Sequence, residues 1–155
     1  MATSTLGQEG RRAADVVWLV VNAVCVLQAV GFATRPFAPD VNGALGLVMA
    51  VLAIPATWAL VVFVRVRAGW RHLAGPVVYD AFIVLMLAVD HVLDIEWRDP
   101  VVPAIQVPYV ALFFAAIVLM GAPMFRIDRR RWLVTVATAS LLLVAMLYAM
   151  AMGVG

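Results

Sequence analysis

The sequence predicts an all-α integral membrane protein: a bundle of five transmembrane helices with the N-terminus cytoplasmic and the C-terminus outside. Three observations lead there. Hydrophobic residues make up 66% of the 155-residue chain and charged residues 13%, against roughly 25% charged in an ordinary soluble domain; mean hydropathy is +1.04. Five apolar stretches, at about 14–33, 42–64, 74–93, 105–125 and 132–153, each approach the roughly 20 residues that cross about 30 Å of hydrocarbon. The arginines then choose a side. Arg11, Arg12, Arg65, Arg67, Arg71, Arg126, Arg129, Arg130 and Arg131 fall on one side of a five-span chain, and only Arg35 and Arg98 on the other. Basic residues concentrate in cytoplasmic loops, and this asymmetry also favours five spans over four.

Residues 1–13 read as a short cytoplasmic tail ahead of one membrane domain, 14–155. Arg11 and Arg12 before an apolar run imitate the start of a signal peptide. The run to Ala33 is long for that role, however, and TRPFAPD reads as a helix end, so the first span is expected to stay in place. Asp15, Trp18 and Asn22 follow an i, i+3, i+7 pattern on this span, the spacing of interhelical hydrogen-bonding residues. Cys25 is the single cysteine, which excludes an intrachain disulfide or a CxxC motif and leaves a small buried hydrophobe. In the second span Pro55 predicts a kink, with Thr57 available to bond the freed backbone carbonyls.

The third span carries the chemistry. At about 100° per residue, with Asp80 at zero, His91 falls near +20°, Asp94 near −40° and Asp90 near −80°. These four, with Tyr79 close to the direction of Asp90, form one stripe expected to face the bundle. A helix starting at Val77 puts Asp90 about 20 Å across the membrane, and one starting at Leu73 puts Asp90 and His91 at about 26 to 27 Å, the outer interface. The interfacial register is favoured, with Asp80 embedded near the inner side and Arg71 as its candidate partner. The segment DIEWRDP at the end of this span is an acidic outer loop, with Asp94, Glu96 and Asp99 against Arg98.

In the fourth span Gln106, Pro108 and Tyr109 sit at the same outer end as Asp90 and His91, which makes the outer third the most polar part of the bundle. The fifth carries Ala145, Ala149 and Gly153 at four-residue spacing, a strip that lets another helix approach closely. Trp18, Trp70, Trp97 and Trp132 lie near span ends, as an aromatic belt requires.

Function is less sharply bounded. The arginines sit in small groups between apolar segments, and with a net charge of +2 they do not form a nucleic-acid surface. No GxSxG, HExxH or Walker loop occurs, so no catalytic residue is assigned. Asp90, His91 and Asp94 are too few donors for a transition-metal site, and the other histidine, His72, belongs to the opposite side; no metal or cofactor is assigned. The segment PATWALVVFVRVRAGWRHLAGPVVYD resembles the EXPERA-type sterol isomerase and sigma-2 receptor group. The carboxylate of that group's second span is missing from LGLVMAVLAIPATWALVVF and the chain has an additional C-terminal span, so no residue role is carried across. The leading expectation is a non-enzymatic accessory subunit or ligand-binding bundle with a polar site in its outer third. It would act with a membrane-protein partner or as a homo-oligomer in a bacterial inner membrane, since basic residues that are all arginine suit a GC-rich genome. The alternatives are an oligomeric proton- or cation-coupled transporter, and an intramembrane enzyme on a lipid or isoprenoid. The site candidates are Asp80, Asp90, His91, Asp94, Tyr79, Gln106 and Tyr109.

Overall fold

The computed structural model describes residues 6–38, 41–93 and 102–153, which are helical with no strand. The helices are α1 (Gln8–Thr34), α2 (Val41–Arg65), α3 (Trp70–Leu87), α4 (Pro103–Gly121), the single turn α5 (Met124–Ile127) and α6 (Arg129–Ala151). A π-helical turn, Ala88–Val92, continues α3. Among the described residues five helical segments are long and apolar enough to cross a membrane, α4 and α5 together forming one of them.

α1 occupies the centre. Its buried positions Ala13, Ala14, Val17, Val20, Val21 and Val24 recur at three- and four-residue steps, a pattern that lines one broad face of a helix. α2 and α6 pack along it, α4 touches it, and the chain order α1–α2–α3–α4 runs between neighbouring helices. α1 begins at Gln8 rather than near residue 14, so half of the expected tail is helix and buries Gly10.

Chain direction is legible in the contacts. Phe63 meets His72 and Thr57 meets Asp80, so numbers fall on α2 as they rise on α3. Likewise Gly75 meets Met120, Phe82 meets Phe113 and Asp90 meets Tyr109, so numbers fall on α4 as they rise on α3 and its π turn. Between α1 and α6 the pairs Trp18–Arg131, Asn22–Thr135 and Thr138–Asn22 keep nearly constant separations of 113 to 116 residues, so those two helices run parallel. This up-and-down arrangement gathers the arginines of the α1 start, the α2–α3 turn and the α5–α6 region at one end of the bundle.

Local chemistry fixes the joints. α2 ends with Arg67 at φ 52°, and the Ala68 amide bonds back to the Phe63 carbonyl at 2.8 Å, a left-handed helix stop that glycine ordinarily fills. The Asp128 carboxylate accepts from the amides of Arg130 (2.9 Å) and Arg131 (3.3 Å) and so caps α6. Gly75 allows α3 and α4 to touch backbone to backbone: a Cβ there would stand 2.7 Å from the Met120 nitrogen. Pro76 lies inside α3, which starts at Trp70, several residues before the expected 74.

Candidate functional site

The polar side chains of the bundle separate into three groups at different heights. At the arginine-rich end α1 and α6 are tied together. The Trp18 indole donates to the Arg131 carbonyl at 3.0 Å, Asn22 donates to Thr135 Oγ1 at 3.2 Å, and Thr138 donates to Asn22 Oδ1 at 2.8 Å. Arg131 forms an ion pair with Asp15 and lies 5.2 Å from the centre of the Trp18 ring. Every polar residue of the i, i+3, i+7 pattern on α1 therefore meets α6, and the groups satisfy one another.

The second group joins α3 to α2. Tyr79, 1% exposed, donates its hydroxyl to the Met49 carbonyl at 2.8 Å, and Gln28 of α1 donates to the Met49 sulfur. Beside it Thr57 donates to Asp80 Oδ2 at 3.0 Å, while Asp80 Oδ1 is buried with no hydrogen-bond partner. At 1.5 Å per residue Asp80 lies about 15 Å from Trp70 and about 18 Å from Val92, close to the middle of the continuous helix that α3 and the π turn form. One sequence expectation about Asp80 is corrected here. Its partner is Thr57 and not Arg71, which is exposed and rests over Trp70 at 5.9 Å. Thr57 correspondingly bonds a side chain across the interface and not a carbonyl freed by Pro55.

The third group is at the arginine-poor end. Tyr109 donates to Asp90 Oδ2 at 3.3 Å, linking α3 to α4, and Gln106 is half-buried one turn from Tyr109. The expected single stripe does not survive. His91 is exposed beside half-buried Asp90, and Tyr79 and Asp80 face α2 whereas Asp90 faces α4. Part of the cause is the π turn, in which the Leu93 amide reaches back five residues to the Ala88 carbonyl at 2.8 Å. The turn is underwound, so Asp90 and His91, which lie within it, are rotated by a fraction of the roughly 100° that one extra residue adds relative to an unbroken α-helix. Asp94, with the acidic loop after it, lies outside the described residues.

Sequence reasoning missed one participant. Trp58 is 49% exposed and, with Ala53, Ile54, Thr57 and Val61, makes an open, largely apolar face on α2. The signal was available: Trp58 is the one tryptophan away from the predicted span ends.

The arrangement thus offers a carboxylate–hydroxyl pair at mid-helix near an exposed indole, and a separate carboxylate–phenol pair at one end. The chain matches no protein-family profile, no curated protein and no solved structure.

Proposed function

We propose that the protein is a non-enzymatic membrane component, an accessory subunit or ligand-binding bundle that works with a partner. The observation that carries this reading is the Thr57–Asp80 hydrogen bond, which reaches the bundle surface through exposed Thr57 while Asp80 is half-buried with its Oδ1 enclosed. Intramembrane carboxylates ordinarily face a bundle interior or a partner group, because an isolated one is costly in lipid. A polar pair that reaches the surface of an apolar helix face through its hydroxyl is what a bundle completed by another molecule would carry. The arginine-rich end is read as cytoplasmic, which gives a cytoplasmic N-terminus and an outer C-terminus, in a bacterial inner membrane.

A proton- or cation-coupled transporter would use the same carboxylates. That reading drew its strength from one continuous stripe on α3, and the divergence of Asp80 toward α2 and Asp90 toward α4 gives it no support. An enzyme pairing Asp90 with His91 as acid and base is likewise not favoured by an exposed imidazole. Native mass spectrometry of the protein released from its own membrane tests the subunit reading. A stoichiometric second polypeptide is the expected result; a monomer or homo-oligomer that retains only lipid, metal or a small molecule would overturn it.

A further inference from the structure

The turn between α2 and α3, RVRAGWRH, holds Arg65, Arg67 and Arg71 and no acidic residue. All three are exposed, and none forms an ion pair with a described residue. The other arginine groups at this end carry acids of their own: Glu9 beside Arg11 and Arg12, Asp15 paired with Arg131, and Asp128 between Arg126 and Arg129. The backbone under the three arginines is fixed. Besides the Ala68–Phe63 bond at Arg67, the His72 amide donates to the Gly69 carbonyl at 2.9 Å, and the His72 ring packs on Phe63 at 5.4 Å. A preformed cationic turn loses less freedom when it binds. Directly beneath it the surface is apolar. Trp70 is 68% exposed, Val77 is exposed two turns later on the same face of α3, and Val61 is exposed one turn below Arg65 on α2. The Arg71 guanidinium lies 5.9 Å from the centre of the Trp70 ring. Guanidinium, indole and aliphatic side chains thus follow one another toward the middle of the helices, the order of phosphate, interface and acyl chain in a phospholipid. A water-borne anion would use the arginines alone, and a second copy docked turn to turn would oppose three like charges.

We propose that the α2–α3 turn is the binding site of an anionic phospholipid, with Arg65, Arg67 and Arg71 holding its phosphate and Trp70, Val77 and Val61 lying along its glycerol and acyl chains. The site rests on the five helices being membrane spans. It goes beyond the subunit reading and does not depend on the Thr57–Asp80 contact.

The test uses the delipidated full chain in mild detergent, with native mass spectrometry counting bound dioleoyl phosphatidylglycerol or dioleoyl phosphatidylcholine. One phosphatidylglycerol is expected to bind about tenfold more tightly than phosphatidylcholine. Arg67→Gln combined with Arg71→Gln should bring it down to the phosphatidylcholine level. Arg129→Gln combined with Arg130→Gln removes the same charge from the start of α6 and should change the preference by less than about twofold. An absent preference in the unaltered protein overturns the proposal. So does an equal loss in the two double variants, which would assign the preference to the diffuse field of the whole arginine-rich end. A further arm needs no variant: sn-glycerol 3-phosphate, at the same concentration as the lipid, should leave phosphatidylglycerol bound because it lacks the chains. Displacement would assign the turn to a water-borne phosphate and overturn the proposal.

Discussion

Gly75→Ala isolates the closest approach in the bundle. An added Cβ would stand 2.7 Å from the Met120 nitrogen, 2.8 Å from its Cα and 2.9 Å from the Leu119 carbonyl carbon. Comfortable non-bonded contacts between heavy atoms lie at about 3.5 to 4.0 Å, so α3 and α4 must separate by somewhat under 1 Å. The obstructing atoms are backbone, and no rotamer change relieves them. Overpacking of this kind costs about 1 to 3 kcal/mol, while alanine for glycine within a helix returns up to about 1 kcal/mol. The clash wins, leaving a net loss of about 1 to 2 kcal/mol. Gly46→Ala is the matched control, since its Cβ would meet only the Met86 sulfur, at 4.0 Å; it should be neutral or stabilising by up to about 1 kcal/mol. Reversible unfolding in mixed micelles of mild detergent and dodecyl sulfate reads both. The separation should also loosen the Phe82–Tyr109 ring contact at 5.1 Å, which tyrosine fluorescence reports. Equal stability changes for the two variants would refute the α3–α4 geometry.

Two further predictions use the same unfolding measurement. Asn22→Leu removes its bonds to Thr135 and Thr138; at about 0.6 kcal/mol for each interhelical polar contact, and with two hydroxyls losing a partner, it should cost about 1 to 2 kcal/mol, and a neutral result would mean α1 and α6 are not joined there. Arg67→Gly should stabilise by about 0.5 to 1 kcal/mol, because φ 52° strains an L-residue and suits glycine; destabilisation would refute the left-handed stop.

The helices were legible because hydropathy decides which segments leave water, and the arginines mark their ends. Boundaries strayed where local rules act within a few residues: Gln8 to Ala13 continues α1 as helix, and Gly69 starts α3 ahead of the apolar run. The α1 polar triplet was legible as interhelical glue since its spacing presents one face, although the partner helix was not. What sequence could not give was rotation. The angles of Asp90 and His91 relative to Asp80 were worked for an unbroken α-helix, and a single π turn, which no residue in AVDHV announces, shifts the last two part of the way round. The strip on α6 was legible in part: Ala145 and Ala149 are buried within the bundle, whereas Gly153 adopts φ 74° where the helix stops.

In lipid, helices are not driven together by the removal of apolar surface from water, so small residues and polar pairs must choose partners. α1–α6 is chosen by the Asn22 network, α3–α4 by Gly75, and α2–α3 already by the buried Tyr79 hydroxyl on the Met49 carbonyl. The Thr57–Asp80 pair is therefore redundant for holding α2 against α3. It also places a carboxylate where Tyr79, one residue earlier, achieves the same join with a neutral group. Thr57 is exposed on α2, while Asp80 is half-buried and keeps Oδ1 enclosed.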